Sequence, residues 1–380
     1  MHIQKWIVLI FIFLHSHASI AQSQRYFWNK DNIRLSVNKE KYITKIIGAK
    51  DGLPSSEILV LLQDSKGFVW IGTSTGVSKY DGYSFENHIT AGNKQLGKIN
   101  SIVEDTLHNT IWIMSDAGLS YYQNGYLHPI AFEENDLTVY DMGIDDRHVY
   151  WIASAKGPAY YTKEEMLGII QTKKGNIGTH LIPQWKSSLK EDSLVRLIKP
   201  GNNGKTWFSS KSILYCYDGR HTSQVWRSSS FNDQINTILP QQDKVFFVST
   251  INGIFECSDT NNVAAVPFQR TLSANIYNSG GALYYMCLDG IFSFNPQNNS
   301  FSLLCKIPEA VTTWLSCTMA DREGNIWIGM HDALFLQRKK IFYEYKSGNG
   351  NIELFCGAVK KDGTILFGGN RGRIFTKRDT

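Results

Sequence analysis

Histidine is the residue type in this sequence best suited to metal binding or acid–base chemistry near neutral pH. The histidines beyond residue 21 are His88, His108, His128, His148, His180, His221 and His331. None of them is spaced from another histidine or from a cysteine in the way that zinc ligands are. His108 and His148 fall in polar turns between expected strands, so we expect both side chains to be exposed. The sequence therefore predicts no catalytic residue, no metal site and no cofactor.

A second set of residues points to ligand binding. A short polar turn recurs at regular intervals, and its last residue is usually glycine. The residue directly before this last one varies in type and charge, while the flanking strand residues stay similar. The varying residues are Thr75, Ala117, Lys156, Lys211, Asn252, Asp289, Asp332 and Arg371. Varied polar groups on a rigid scaffold are typical of recognition sites, so we predict a ligand-binding ring formed by the polar members Thr75, Lys156, Lys211, Asn252, Asp289, Asp332 and Arg371. The mixed charges favour a neutral polyhydroxylated ligand, such as an oligosaccharide, over a polyanion. The alternative is that these are ordinary exposed hairpin turns.

The elements that would position this ring are strands, and they repeat. Val60–Asp81 contains three hydrophobic strands separated by an Asp-Ser-Lys-Gly turn and a short polar turn. An aromatic or apolar anchor marks the second strand of each copy, at positions 70, 112, 151, 207, 247, 285, 327 and 366. Their mean spacing is roughly 42 residues, the period of a four-stranded propeller blade. Residues alternate with period two and are rich in β-branched and aromatic types, which favours strands over helical repeats. We therefore predict an all-β fold, a β-propeller with the anchors packed between neighbouring blades.

The sequence leaves two blade counts open. Tyr42–Ile47 precedes the first copy and is expected to be an outermost strand without a blade of its own, whereas the eighth copy, at about 350–378, ends after its third strand. Either the two ends pair and close eight blades, or seven blades close and the eighth copy begins a second propeller. The predicted propeller domain is 41–380, and an N-terminal extension covers 22–40.

The first 21 residues have the pattern of a secretory signal peptide. Lys5 precedes the apolar run Trp6–Leu14, and Ser19-Ile20-Ala21 has the small residues of a cleavage site. This run is too short to span a bilayer core, which needs about 20 residues. We therefore expect an exported, periplasmic protein that is cleaved after Ala21.

Charge and cysteine usage add two expectations. The 39 basic and 34 acidic residues give a net charge of +5 without a lysine and arginine cluster, which argues against a nucleic-acid partner. The six cysteines contain no C-x-x-C pair. Because the chain is too long to depend on a disulfide framework, we expect them to be free and buried.

One repeat is longer than the others. The interval between Trp151 and Trp207 exceeds the mean spacing by about 14 residues, and the excess lies near 162–193. Thr162 followed by Glu164 and Glu165 predicts a short capped helix there. The segment is either a tolerated loop insertion or a binding loop on one rim.

The first copy has a distinctive run of residues. It comprises Gly52–Ile58, Gln63-Asp64, Gly67, Trp70–Thr73, Gly76-Val77, Tyr80–Gly82 and Phe85, and Asp321–Gly329 repeats part of it. This run resembles the two-component regulator propeller repeat. The resemblance implies the periplasmic sensor region of Bacteroidetes-type histidine kinases or hybrid two-component systems. In that family the propeller, often two in tandem, is followed by an Ig-like domain, a transmembrane helix and a cytoplasmic kinase.

The function that the resemblance implies is ligand sensing, with the chain as the sensor portion of a histidine kinase and without kinase activity of its own. The expected partner is a small-molecule or oligosaccharide ligand. A membrane is expected only through further C-terminal regions, and a homodimer only within a full-length sensor. The alternative is a secreted propeller enzyme, a lyase or hydrolase, that acts on a glycan or small molecule.

Overall fold

The structure is a computed structural model that describes residues 35–37 and 42–377. The gaps within this range are 135–136, 183–184, 186–193, 202–203, 231–232, 242–243, 250–252, 260–261, 267–272, 280, 288, 308–314, 340–344, 348–353, 362–364 and 370–373. The predicted signal peptide at 1–21 lies outside the described residues, and of the predicted extension at 22–40 only 35–37 is described. The chain divides into two compact units: residues 41–339 form one, and residues 1–40 with 340–380 form the other.

Short strands make up nearly all of the described secondary structure. The N-terminal strands are β1 (Leu35–Val37) and β2 (Tyr42–Ile47), followed by a 3-10 turn (Ala49–Asp51). The first blade has β3 (Ile58–Gln63), β4 (Val69–Thr73), β5 (Val77–Tyr80) and β6 (Phe85–His88), and the short strands β7 (Thr90–Ala91) and β8 (Lys94–Gln95) follow it. The second has β9 (Ile99–Asp105), β10 (Thr110–Ser115), β11 (Gly118–Gln123) and β12 (Tyr126–Pro129), and β13 (Ala131–Phe132) follows. The third has β14 (Val139–Ile144), β15 (Tyr150–Ser154) and β16 (Gly157–Tyr161), then helix α1 (Lys163–Thr172) and β17 (Lys174–Gly175).

The later blades follow the same plan. The fourth has β18 (Leu197–Pro200), β19 (Thr206–Ser210), β20 (Ile213–Tyr217) and β21 (Thr222–Arg227). The fifth has β22 (Ile235–Gln241), β23 (Lys244–Ser249), β24 (Gly253–Asp259) and β25 (Asn262–Ala265), and the sixth has β26 (Ser273–Ser279), β27 (Ala282–Cys287), β28 (Gly290–Asn295) and β29 (Ser300–Cys305). The seventh has β30 (Leu315–Ala320), β31 (Ile326–Met330) and β32 (Leu334–Lys339). After it come β33 (Tyr345–Ser347), β34 (Leu354–Val359), β35 (Ile365–Gly369) and β36 (Ile374–Lys377).

Strand pairing closes a ring of seven blades within residues 41–339. Each blade pairs its strands antiparallel in chain order, as hairpin connections require. In the seventh blade β2 is the outermost strand, and it pairs with β32 from Tyr42 opposite Lys339 to Ile47 opposite Leu334. The first strand of each blade contacts the first strand of the next, and β30 contacts β3. The predicted propeller is therefore confirmed with seven blades.

The eighth copy forms a sheet in the other unit. Its strands β34, β35 and β36 pair in that order as antiparallel hairpins, like the first three strands of a blade. In the same unit β1 pairs with β33. Closure of the ring by β2 against β32 does not use the strands of the eighth copy.

The hydrophobic core lies between blades. The described residues contain seven clusters of buried apolar side chains, and each cluster joins two neighbouring blades. Trp70, for example, is 1% exposed and shares a cluster with Ile99 and Ile111 of the second blade. Burial of a large apolar side chain contributes about 1.5–3 kcal/mol, so the anchors stabilise interfaces that an isolated sheet lacks. The predicted packing between blades is confirmed for the seven anchors from Trp70 to Trp327, each of which belongs to one of these clusters; Leu366, in the eighth copy, belongs to none of the described clusters.

The insertion completes the third blade. Helix α1 begins after Thr162, whose Oγ1 accepts from Glu165 N at 3.3 Å while the Glu165 carboxylate accepts from Thr162 N at 2.7 Å. This capping box confirms the predicted helix. A bridge between Ala159 and Leu181 lies beside β16, where other blades have a fourth strand. In the described part of the insertion, the chain thus covers the outer edge of a three-stranded blade. No helix in the described residues is both long and apolar enough to cross a membrane.

The five cysteines whose side chains are described form no disulfide. Cys216, Cys257, Cys287 and Cys317 are buried, and Cys305 is half-buried. Burial raises the pKa of Cys216 and of Cys317 to about 12. The predicted free state is confirmed for these five, and burial for all but Cys305; the Cys356 side chain lies outside the described residues.

Candidate functional site

The innermost strands share a local irregularity at their start. In six blades the pairing of the first strand with the second shifts by one residue, which is the signature of a β-bulge. The residues left out of the pairing are Leu59, Asn100, Tyr140, Asn236, Ala274 and Ser316. In the fourth blade, Arg196 stands directly before β18 and its backbone N donates to Ser209 O at 3.0 Å. Bulges commonly redirect a side chain at a functional site.

Four of these bulge residues, together with Arg196, line a cavity where the innermost strands begin, at one end of the channel that the innermost strands of a propeller enclose. Its volume is about 240 Å³, and its lining residues are Leu59, Lys98, Ile99, Asn100, Tyr140, Arg196 and Ser316. The lining comes from blades 1, 2, 3, 4 and 7, and four of the residues are bulge residues. One structural position, repeated around the ring, therefore builds most of this cavity, which we call the channel mouth.

A buried ionic group holds the wall of the channel mouth in place. Asp141 follows Tyr140 and is only 1% exposed. Its carboxylate accepts from Ser101 Oγ of the second blade at 2.8 Å, and from Ile198 N at 3.0 Å and Lys199 Nζ at 2.8 Å in the fourth. Charge-assisted hydrogen bonds of this kind are stronger than neutral ones, so three neighbouring blades are fixed at the point where Tyr140 enters the cavity.

The ring of residues predicted from the sequence lies on the same face as the channel mouth. Ile58 pairs with Thr73, so the turn after β4 leaves the sheet at the edge where β3 begins. The backbone N of Asp116 donates to Lys98 O at 3.0 Å, which joins this turn of the second blade to the channel mouth. Thr75, Lys156, Lys211, Asp289 and Asp332 are exposed in these turns, and Asn252 and Arg371 lie outside the described residues. None of the five described residues is part of the cavity lining, and their role in ligand binding stays a prediction.

Reasoning from the sequence alone missed the bulge residues. The criterion that selected the turn residues, varied residue types at one equivalent position of each repeat, could have found them. At this position successive repeats have Leu, Asn, Tyr, Arg or Ser, flanked by apolar residues such as Ile58 and Val139. A bulge cannot be recognised from composition, because it depends on the register between two strands.

Buried aspartates at the opposite edge of the blades have a structural role. Asp64 is 3% exposed; its Oδ2 accepts from Trp70 Nε1 at 2.8 Å, and its Oδ1 accepts from the backbone N of Phe68 at 3.0 Å. Asp321 and Trp327 make the same contact at 2.8 Å in the seventh blade. The Asp-x-x-Gly turn thus fixes both its own hairpin and the indole that packs between blades.

His108 lies in one of these hairpins and is only 12% exposed. Its Nδ1 is 2.7 Å from Asp105 Oδ2 and 2.9 Å from the hydroxyl of Tyr150, which donates to the same Oδ2 at 2.5 Å. Burial would raise the pKa of Asp105, but the hydrogen bonds from Tyr150 and His108 outweigh it and hold that pKa below its ordinary value. Burial, together with the Asp105 carboxylate, raises the pKa of Tyr150. The predicted exposure of His108 is wrong because Tyr150 comes from the next blade; His148 is half-buried as well.

Two features of the described residues bear on catalytic chemistry. The first is metal binding: the described residues contain no group of three or more His, Cys, Asp or Glu residues able to hold a metal ion. Gly72–Gly76 has the sequence G-x-S-x-G, but it joins β4 to β5, whereas a nucleophile elbow joins a strand to a helix. The Ser74 hydroxyl is hydrogen-bonded to the Ser55 hydroxyl at 2.9 Å rather than to a base.

The first blade carries the residues that relate this chain to a known family. Residues 52–75 match the family described as two component regulator propeller. The chain carries a two-component regulator propeller repeat. The resemblance predicted from Gly52–Ile58 and the residues after it is thereby confirmed. No curated protein matches the chain by sequence.

Solved structures share the fold of this propeller chain at low sequence identity. One is the extracellular domain described as that of a one component system from B. thetaiotaomicron, with a TM-score of 0.61 and 18% identity over 90% of this chain and 48% of that one. Another is the extracellular domain of a hybrid two component system from the same organism, with a TM-score of 0.62 and 16% identity over 89% and 53%. The chain therefore spans about half the length of these neighbours. Virginiamycin B lyase from Staphylococcus aureus has a TM-score of 0.58 and 13% identity over 78% and 99%. Identities this low show a common fold alone.

Proposed function

We propose that this chain is the periplasmic ligand-sensing propeller of a two-component signalling system. The observation that carries the proposal is the channel mouth, where one repeated backbone position presents Leu59, Asn100, Tyr140 and Ser316 in four different blades. Such a site changes its specificity without changing the scaffold. The family repeat at 52–75 and the fold shared with extracellular sensor domains support the same function.

The proposed ligand is a small molecule or an oligosaccharide. Leu59 supplies an apolar wall, while Asn100, Tyr140 and Arg196 supply polar groups. This combination is usual in ligand pockets, where a few polar groups set orientation and apolar surface supplies contact area. An aromatic ring with a hydroxyl, such as Tyr140, suits the two faces of a sugar, one apolar and one polar.

The signal would be read by a histidine kinase joined to the sensor through further C-terminal regions, in which a homodimer would form. Because the neighbours are about twice as long as this chain, we propose that β34–β36 belong to the beginning of a second propeller. Binding at the channel mouth is then the first step of a longer pathway.

A ligand screen with a matched pair of variants tests the sensor function. The mature chain, residues 22–380, is screened against oligosaccharides and small molecules by thermal shift, and hits are measured by calorimetry. Tyr140→Ala should weaken a hit by about tenfold, the equivalent of about 1.4 kcal/mol. Tyr83→Ala is the control, since Tyr83 is 94% exposed in the turn between β5 and β6. If hits survive Tyr140→Ala and Arg196→Gln unchanged, the ligand binds elsewhere. Conversion of a hit into products would instead establish the enzyme alternative.

A further inference from the structure

The lining of the channel mouth contains two basic side chains, Lys98 and Arg196, and no acidic one. Lys98 directly precedes β9 in the second blade, and Arg196 directly precedes β18 in the fourth. Both residues are exposed. Tyr140, from the third blade between them, lines the same cavity.

The described acidic groups close to the cavity along the chain lie outside its lining, and Asp136, Glu191 and Asp192 lie outside the described residues. Asp141 is buried in the wall and bonded to Ser101, Ile198 and Lys199. The Glu57 carboxylate lies 3.3 Å from His331 Nδ1. Asp116 is exposed at the rim, where its side chain lies against Gly97, outside the cavity lining. Among the described residues, no carboxylate is paired with Lys98 or Arg196.

We infer that the channel mouth binds an acidic group, a carboxylate or a sulfate ester, carried by a ligand of saccharide type. This inference rests on the proposed function and names the class of ligand for the same site. Arg196 offers a planar fork of donors that matches two oxygens of such an anion, and Lys98 adds a compact positive charge on a flexible stem. Between them, Tyr140 supplies an aromatic face and a hydroxyl for the sugar ring.

Asn100 adds orientation to this arrangement. Its Nδ2 donates to Val139 O at 3.2 Å, so the amide is held in place and its oxygen is left to accept a hydrogen bond from a ligand hydroxyl. The mixed charges of the turn residues favoured a neutral ligand. The cavity, however, is lined by a different set of residues, whose charges are of one sign.

Three sugars that differ in one substituent test the inference. D-glucose, D-glucuronate and D-glucose 6-sulfate are titrated against the mature chain at low salt, and binding is followed by ligand-observed NMR. At least one of the two anions should bind about tenfold more tightly than glucose, and its affinity should fall as salt is raised. Arg196→Gln and Lys98→Gln should each remove about this advantage. Lys156→Gln is the control, because Lys156 is an exposed lysine on the same face but outside the lining.

The outcomes separate this inference from the proposed function. Binding of glucuronate alone identifies a carboxylate site, and binding of the sulfate alone identifies a sulfate site. The inference is overturned if neither anion binds more tightly than glucose, if both glutamine variants keep the anion affinity, or if Lys156→Gln abolishes it. A neutral ligand that is lost on Tyr140→Ala but not on Arg196→Gln would preserve the sensor function while rejecting the acidic ligand. Melting temperatures equal to that of the parent show that the variants are folded.

Discussion

Shortening one side chain of the closing strand should weaken the whole ring. Ile47, at the end of β2, is 0% exposed and packs with Ile58, Trp327 and Leu334 in the cluster between the seventh and first blades. Ile47→Ala removes about three carbon groups at about 0.8 kcal/mol each, or about 2.4 kcal/mol of transfer free energy. The cavity left behind raises the expected loss to about 3–4 kcal/mol, a large part of the 5–15 kcal/mol typical of a folded domain.

The same strand contains matched controls. Ile43 and Ile46 are 58% and 55% exposed, so the identical substitution at either should change the free energy of unfolding by less than about 0.5 kcal/mol. The comparison distinguishes two effects: losing an isoleucine anywhere in β2, and losing the contact that Ile47 makes where the ring closes.

Urea unfolding of residues 22–380, with light scattering measured in parallel, tests both effects. Ile47→Ala should lower the midpoint and promote aggregation, because loosening β2 exposes the edge of β32. If Ile47→Ala does not yield folded protein, Ile47→Val should cost about 0.5–1.5 kcal/mol against no change for Ile46→Val. Equal midpoints for Ile47→Ala and Ile43→Ala would refute closure by this strand.

Three further predictions concern buried polar groups. Trp70→Phe removes the indole donor from Asp64 Oδ2 and should cost about 1–3 kcal/mol in urea unfolding; an unchanged midpoint would show that the contact is not stabilising. Because the pKa of Asp105 is lowered in the fold, its stabilisation is fully present above its unfolded pKa of about 3.9 and is lost as pH falls through the lower folded value. Asp105→Asn should therefore destabilise at pH 7 yet reduce the loss of melting temperature below about pH 4, and parallel pH profiles of variant and parent would contradict this. Cys216 and Cys317, with pKa values near 12, should resist iodoacetamide at pH 8 until the chain is unfolded, as counted by mass spectrometry; rapid labelling of native protein would contradict their burial.

Much of the fold was predictable because its signals are local. The strands, their hairpin turns and the repeat period follow from alternating apolar residues and turn residues within each copy. The cap of helix α1 depends on Thr162 and Glu165, three residues apart. The face of the propeller on which the predicted ring of turn residues lies is also determined locally, because the turn before Gly76 and the start of β3 belong to one blade.

The features that were missed or left open depend on distant residues. The burial of His108 requires Tyr150 from the next blade, so its position in a polar turn was misleading. The channel mouth combines residues from five blades, and its bulge residues become visible only when the register between strands is known.

The sequence by itself determined a propeller built from blades of one repeated pattern, with aromatic anchors between them and a two-component regulator repeat at its start. Only the tertiary structure decided that seven blades close, that Tyr42–Ile47 completes the seventh, and that Lys98 and Arg196 line one cavity. The physical reason is the range of the interactions. Strand and turn preferences act over a few residues, whereas ring closure and the cavity arise from contacts between segments that are far apart in the sequence or lie in different blades.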